Sequence, residues 1–574
     1  MPLEIPTRAD RKARYREAGL WEDLTLHGLL ARNVAAAPDQ EAVVEQPNKE
    51  ELMGVAPQRL TLRQLDRAST ACARELASRG IGAEDCVILQ LPNTAELIVL
   101  YYALSKLGAI VSPIAVQYGQ HELKHFAREL TPAAFITVEQ LRGDRLAERA
   151  RSVMGTTPVW AVGEDDLNVF DGVADASQDA SQDASQNKTS DSWATDADAI
   201  LTIAWTSGTT GTPKGVPRTH NMWVAQGRLT AHAARFAEGE RMLSPFPMIN
   251  MAALGGFLLP SALHRSTLIL HHPLEIPVYL GQLQSEKVTF TLAPPPLLNR
   301  LAQQPELWEQ FDFAAMRTIG SGSVPLSPAM IDVFENRFAK PVINFYGSNE
   351  GVGLISTPAN SPSPEHRAKL FPRMGAPGLS FDSWADDVML THIIDPRSGA
   401  LIEEPGVAGE LCVDGPGVFD GYLNHDGAGV FTEDGFFRSG DLVEIAPEQP
   451  SHYRIVGRCK DIINRGGTKL SPAEIDSVLE GMPGLAEAAV CAYADEDLGE
   501  RVCACIVALE DSAPPALEDV RGFLADKGLA RFKLPERLEV FTALPRNPLG
   551  KVVRDALRLD VETRGSTQEQ GDVR

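Results

Sequence analysis

The chemistry of this chain starts from Thr206-Ser-Gly-Thr-Thr-Gly-Thr-Pro-Lys-Gly-Val216, where three glycines, four threonines, one serine and one lysine occupy eleven positions. Glycines let a backbone approach an anion closely. The hydroxyls and N–H groups of Thr206, Ser207, Gly208, Thr209, Thr210 and Gly211, with the Lys214 ammonium, supply donors for phosphate oxygens. The preceding run Ile200-Leu-Thr-Ile-Ala-Trp205 is apolar and β-branched, so a buried strand is expected to feed this loop. A Walker A loop is excluded, because Pro213 stands where that pattern needs its second glycine. The proline also works against a helix opening from Lys214. A Gly/Ser/Thr cluster is equally what an ordinary surface turn looks like, and the loop alone leaves both readings open.

Other stretches carry weaker signals. Asn344-Phe-Tyr-Gly-Ser-Asn-Glu350 ends an apolar run with an aromatic ring and a carboxylate. Tyr346 could stack on a base and Glu350 could hold Mg²⁺ against phosphate oxygens, although Glu350 on a solvated junction is the simpler reading. Gly320-Ser-Gly-Ser-Val-Pro-Leu326 offers glycines that would admit a flat ring, or just a turn. Arg438-Ser-Gly-Asp441 places an acceptor-only carboxylate on a tight turn, suited to two vicinal hydroxyls. Gly457-Arg-Cys-Lys-Asp-Ile-Ile-Asn-Arg-Gly-Gly467 mixes charge with glycine, as hinges and plain connectors both do, and Lys551 follows Pro548-Leu-Gly near the end.

The elements that must position these residues alternate. A helical pattern over Arg11 to Asn33 and a helix capped by Thr61 precede the strand Cys86-Val-Ile-Leu-Gln-Leu, a helix over Asn93 to Leu107, and the strands Gly108-Ala-Ile-Val-Ser-Pro-Ile and Ala134-Phe-Ile-Thr-Val. Continuous apolar strands alternating with helices argue for an α/β fold with parallel sheets covered on both faces, and ligands then bind beyond the carboxyl ends of the strands. Past residue 400 the strands shorten into a β-rich part, and a compact α+β unit begins near Asp461, with Ser471-Pro-Ala-Glu read as a capping-box helix start. The expected organisation is a large N-terminal domain over 1–459, a small mobile domain over 460–560 and a flexible tail over 561–574. The thrice-repeated Asp-Ala-Ser-Gln from Asp175 marks 174–197 as an acidic insertion expected to be disordered.

Composition narrows the class. At 574 residues, 44% apolar and 23% charged, the chain is an ordinary globular protein of two to four domains. A net charge of −24 argues against nucleic-acid or anionic-membrane partners, so an anionic substrate must be drawn in by local donors. Seven scattered cysteines without a C-x-x-C pair fit a reduced compartment, and Cys503 and Cys505 are expected to share one strand face. No apolar run reaches the roughly 20 uninterrupted residues of a membrane span, and a cytoplasmic location is expected.

Read in order, Thr-Ser-Gly-Thr-Thr-Gly-x-Pro-Lys-Gly, Tyr-Gly-x-x-Glu, Ser-Gly-Asp, Gly-Arg-x-Lys-Asp and a late Gly-Lys resemble the acyl-adenylate-forming (AMP-binding) superfamily, which includes acyl- and aryl-CoA synthetases, nonribosomal peptide adenylation domains and luciferases. The resemblance covers about Leu24 to Leu557 except the acidic insertion. It implies that the Thr206–Lys214 loop holds the β- and γ-phosphates of ATP, that Tyr346, Gly347 and the segment Gly322-Ser323-Val324 flank adenine, that Glu350 binds Mg²⁺, and that Asp441 and Arg458 hold the ribose. Lys460 would be the hinge, Lys551 would bridge substrate carboxylate and α-phosphate, and Gly466 and Gly467 would reach the site for a thioester step with coenzyme A. Asn250, Met251, Gly255 and Gly322 would line an acyl pocket together with Ile249, Ala252, Leu254 and Phe257.

Three positions depart from the family pattern. Asn349 replaces the usual Thr before the glutamate, where its amide would still donate to phosphate but is less suited to Mg²⁺, Ser323-Val324 replaces a smaller pair, and Pro247-Met-Ile-Asn250 lacks the His-Asn pair of aryl-acid enzymes. The opening Arg14-Tyr-Arg-Glu-Ala-Gly-Leu-Trp21 nevertheless resembles the aryl-acid (2,3-dihydroxybenzoate) AMP ligases and some cyclic-acid CoA ligases. The expectation is an acid:CoA ligase for a medium-sized cyclic, aromatic or fatty acid. The alternatives are an aryl-acid adenylase loading an acyl carrier protein, and a non-catalytic nucleotide binder. No sequence feature requires a homodimer, and none forbids it.

Overall fold

A computed structural model of the chain describes residues 3–163, 166–170, 193, 196–206, 213–322, 325–461, 463–465, 468–495, 498–510, 512–547 and 551–569. The acidic repeat therefore lies outside the described residues. The chain divides into two compact units, one of residues 1–206, 215–390 and 413–431, the other of 207–214, 391–412 and 432–574.

The first unit holds two sheets. In one, the strands run in the order Val159–Val162, Ala134–Val138, Cys86–Gln90, Ile110–Pro113, Ile200–Trp205 and Gly215–Thr219, all parallel up to the last, antiparallel pair. The other has eight strands in the order Gly353–Ser356, Val342–Gly347, Thr318–Gly322, Phe290–Leu292, Arg241–Ser244, Thr267–Leu270, Glu41–Val44 and Arg59–Thr61. Its six inner strands are parallel and its two edges antiparallel. Both sheets are built from continuous apolar runs, because helices cover both faces.

The helices start where the sequence says they should. Thr61 accepts from the Gln64 N–H while the Gln64 side chain accepts from the Thr61 N–H, opening the helix Leu62–Ser78. Thr94 caps Ala95–Leu107, which is apolar on nearly every side and buried throughout its length save the last residue. Among the described residues no helix is long and apolar enough to cross a membrane. The single helical stretch expected over Arg11 to Asn33 is instead two helices, Ala9–Glu17 and Leu26–Ala36. Gly19 and Asp23 break it with φ values of +67° and +56°, and the Trp21 indole turns to donate to the Pro416 carbonyl at 3.1 Å.

In the second unit, Phe437–Ile445 and His452–Arg458 pair antiparallel in the β-rich part; at nine and seven residues they do not show the shortening expected past residue 400. In the α+β part that follows, Gly499–Ala508 is the central strand, pairing with Leu485–Asp495, Ile463–Arg465 and Arg537–Val540. The expected capping box at Ser471 does not form: its hydroxyl donates to the Val456 carbonyl, beside Gly457, and leaves the helix Pro472–Leu479 without a side-chain cap. Cys491, Cys503 and Cys505 do share a face, with Cys491 Sγ 3.8 Å and Cys503 Sγ 4.0 Å from Cys505 Sγ, and all seven cysteines are free thiols. That face is covered by Leu557 and Val561 of the helix Arg554–Glu569. The start of the expected tail is thus helical, because Val561 has an apolar surface to bury against.

Candidate active site

The strand Ile200–Trp205 pairs antiparallel with Gly215–Thr219, with Trp205 opposite Gly215, so the ends of the expected phosphate loop, Thr206 and Lys214, are brought to the base of a hairpin. A helix follows only after that second strand, at His220–Ala233, capped by Thr219 Oγ1 accepting from the Met222 N–H at 3.1 Å. The exclusion of a Walker A loop therefore has a structural counterpart. The hairpin base is fixed by Trp205, whose indole donates to Ser112 Oγ at 2.9 Å and whose ring lies 4.6 Å from Phe126. Thr206 and Lys214 are half-buried, while Ser207, Gly208, Thr209, Thr210 and Gly211 lie outside the described residues.

The glutamate region is the most heavily tied part of the unit. Val342–Gly347 pairs with Gly353–Ser356, and the turn between them carries Asn349 and Glu350. Asn349 Nδ2 donates to the Trp205 carbonyl at 2.9 Å and Oδ1 accepts from the Met251 N–H at 2.9 Å. This one side chain links the hairpin base, the glutamate turn and the start of the helix Met251–Ala253. Its carboxamide, expected to serve phosphate, is occupied by main chain.

Glu350 is buried, and its Oε1 accepts from the Tyr422 hydroxyl at 2.8 Å. Behind it lies Arg218, fully buried, donating to the carbonyls of Asn349 (2.8 Å), Gly417 (2.7 Å) and Met222 (3.2 Å) and lying 4.4 Å from the Trp223 ring. Burial pushes the Arg218 pKa down to about 9, with the Glu350 charge pulling it back up. It stays a cation at neutral pH.

The adenine-type segment is partly strand. Thr318–Gly322 extends through Gly322, opposite Phe345. A Cβ at Gly320 would stand 2.8 Å from the Phe345 ring, and one at Gly322 only 1.9 Å from the Phe345 carbonyl oxygen. Gly320 thus makes room for the Phe345 ring, and Gly322 for the Phe345 main chain. Tyr346 is half-buried, its ring 5.7 Å from that of Phe371, and Gly347 is exposed; Ser323 and Val324 lie outside the described residues.

On the acyl side, Asn250 accepts from the Ala253 N–H at 3.3 Å and starts the short helix Met251–Ala253, which passes into a π-helical turn, Leu254–Leu258. Such turns are frequent at functional sites. A Cβ at Gly255 would meet Gln226 Cγ at 2.7 Å and Met251 Sδ at 2.9 Å, so glycine there makes room for both side chains. Phe257 is fully buried against Phe290, 5.7 Å away, and belongs to the core. Met248 is held at both ends, by Asn93 Oδ1 (2.8 Å) and the Tyr101 hydroxyl (2.6 Å).

The second unit brings three of the expected residues together. Asp441 and Arg458 face each other across the ladder and form an ion pair at 2.9 Å. Lys551 lies within the field of both. Protein crowding around its ammonium lowers its pKa, the Arg458 charge lowers it further, and Asp441 opposes. The side chain still reaches solvent, and among the described residues its Nζ makes no hydrogen bond. A cation so placed gains from an incoming anion. Lys460 stands exposed on the turn after His452–Arg458, and Gly466 and Gly467 lie outside the described residues.

Arg218, Tyr422, Asn93 and Tyr101 were not singled out from sequence. One signal was available: an arginine inside the apolar strand Gly215–Thr219 has to find partners when it is buried. Among the described residues no group of three or more His, Cys, Asp or Glu side chains could hold a metal ion. Mg²⁺ with a nucleotide needs fewer, since one carboxylate, water and phosphate oxygens suffice. Glu350 fits that role, with Oε1 held by Tyr422 and no hydrogen bond to Oε2 among the described residues.

The comparisons with known proteins give the family. Residues 30–423 match the AMP-binding enzyme family, and residues 474–551 its C-terminal domain. The chain is 30% identical to enterobactin synthase component E of Escherichia coli (strain K12), covering 96% of this chain and 97% of that protein. It is 28% identical to the medium-chain fatty-acid–CoA ligase of the same organism, covering 98% and 95%. The crystal structure of ATP-bound MatB from Rhodopseudomonas palustris superposes with a TM-score of 0.74 at 26% identity, over 94% of this chain and 99% of that one. A match that takes in the hairpin loop, the glutamate turn and the late lysine in one chain identifies this protein as a member of the AMP-binding enzymes, ATP-using adenylate-forming acid ligases.

Proposed function

We propose that this enzyme is a Mg²⁺-dependent carboxylic acid:CoA ligase for a medium-sized cyclic, aromatic or fatty acid. In the first step a substrate carboxylate oxygen attacks the α-phosphorus of ATP; a new C–O–P bond forms as the bond to the β-phosphate oxygen breaks, and pyrophosphate leaves. In the second, a thiol sulfur attacks the acyl carbon of the adenylate and AMP departs. Negative charge builds at the α-phosphate, and Lys551, beside the Asp441–Arg458 pair, is suited to meet it. That placement is the observation on which the reading rests.

In this reading the Thr206–Lys214 loop grips and releases pyrophosphate, Asp441 and Arg458 hold the ribose, and Tyr346 with Gly322-Ser323-Val324 borders the base. Mg²⁺ held by Glu350 would neutralise phosphate charge. A small domain starting at Lys460 would turn between the two steps and bring Gly466-Gly467 to the site. The thioether of Met251, lying over Gly255, supports an apolar acyl wall.

A second reading, an aryl-acid adenylase that loads a carrier protein, is favoured by the near full-length match to enterobactin synthase component E. A panel of carboxylic acids scored for pyrophosphate release with and without coenzyme A separates the two. Acyl-CoA formation is expected; pyrophosphate–ATP exchange with no coenzyme A turnover would sink the first reading in favour of the second.

A further inference from the structure

Glu350 is fixed through a contact between two turns. The Phe419 N–H donates to the Glu350 carbonyl at 2.8 Å and the Tyr422 hydroxyl to its Oε1 at 2.8 Å. Gly351 has φ +104°, and a Cβ there would lie 2.0 Å from the Gly417 carbonyl oxygen, so the two turns touch backbone to backbone. Arg218 spans that contact, donating to Asn349 on one side and Gly417 on the other. Arg11, on the helix Ala9–Glu17, holds the far side of the second turn through the carbonyls of Gly415 (2.8 Å), Val418 (2.8 Å) and Phe419 (3.0 Å). Arg11 and Arg218 are 1% and 0% exposed. Desolvation disfavours a buried guanidinium; Asp420, 2.5 Å from Arg11, offsets one of them, whereas Arg218 donates to main-chain carbonyls, and two such groups converging on one turn point to a geometric requirement there.

We propose that Arg218 and Tyr422 are positioning residues that fix the Glu350 backbone and carboxylate, with Arg11 holding the turn from which Tyr422 reaches it. The proposal rests on the reading of Glu350 as the carboxylate that takes Mg²⁺ with the phosphates. With Oε1 held by the phenol, Oε2 presents a defined lone pair to the ion. Freed from the phenol, the carboxylate rotates and loses that freedom again on each binding event. Partners that orient a ligating side chain are worth roughly 10- to 100-fold in metal affinity.

The test uses the full chain with Mn²⁺ as probe and a non-reacting α,β-methylene ATP analogue, free Mn²⁺ being read by electron paramagnetic resonance. Tyr422→Phe keeps the ring that packs 4.9 Å from Phe419 and removes only the hydroxyl. It should weaken Mn²⁺ binding about tenfold while the melting temperature and the KM for the acid stay near wild type. Arg218→Lys keeps the charge but cannot span both carbonyls, and should weaken it by at least as much. Unchanged affinity in either variant overturns the assignment of that residue. Glu350→Gln is the control. If it too binds Mn²⁺ as wild type does, the reading of Glu350 itself fails. If it loses the ion while Tyr422→Phe keeps it, the positioning proposal fails alone.

Discussion

The glutamate turn of the first unit and the lysine corner of the second are built on opposite principles. Around Glu350 the geometry is fixed by protein hydrogen bonds of Asn349, Arg218, Tyr422 and the Phe419 N–H, while Glu350 Oε2, Arg218 Nε and Ser348 Oγ make none among the described residues. Around Lys551 the charge is crowded, lowered in pKa and, among the described residues, without a hydrogen bond to Nζ. A group that must offer the same lone pair in every turnover is best held by fixed donors. A group that must meet an anion and then release it is best left short of compensation, so that the ligand completes the site.

The contrast is tested hardest at its two ends. Lys551→Ala should slow adenylation by about 10²- to 10³-fold with little change in melting temperature, measured as pyrophosphate release. Gly351→Ala should do the reverse. With φ at +104° and a Cβ in collision with Gly417, it should lose about 3 kcal/mol or more of stability, seen in thermal unfolding, before activity is even considered. If Lys551→Ala melted early, or Gly351→Ala were neutral, the division between the two regions would collapse.

Two smaller effects sharpen it. Asn349→Ala would leave the Met251 N–H and the Trp205 carbonyl without their partner, a loss of about 1–3 kcal/mol. Because Met251 begins the acyl-side helix, the KM for the acid should rise more than the KM for ATP. A larger rise for ATP would return Asn349 to the phosphate-binding role. The pH profile reads the other region. In the proposed mechanism Lys551 acts as a cation, and its pKa is lowered from 10.5, so kcat/KM should fall as pH rises through that depressed value. Lys551→Arg should move this alkaline limb to higher pH. An unshifted limb would assign it to another group.

The sequence by itself determined the element types, because apolar continuity and caps act locally. Cys86–Gln90, Ala134–Val138 and the Thr61 capping box are all where the residues place them. It also spoke against a helix opening at Lys214, because of Pro213, but that the chain continues there as the strand Gly215–Thr219 came from the structure. The break between Ala9–Glu17 and Leu26–Ala36, the uncapped Ser471 and the helical continuation past Val561 were less legible, each depending on a partner elsewhere: Pro416, Val456 and the cysteine face.

The candidate site divides in the same way. Glu350, Asp441, Arg458 and Lys551 were legible as chemistry-bearing residues in a recognisable order. What Asn349 binds, why Gly320 and Gly322 are glycines, and the buried clamp of Arg218, Tyr422 and Arg11 were decided only by tertiary structure. The physical reason is range. A cap or an apolar stripe is satisfied within a few residues, whereas a buried amide or guanidinium takes whichever carbonyl packing brings within about 3 Å. For Arg218 two of its three carbonyls lie 131 and 199 residues away.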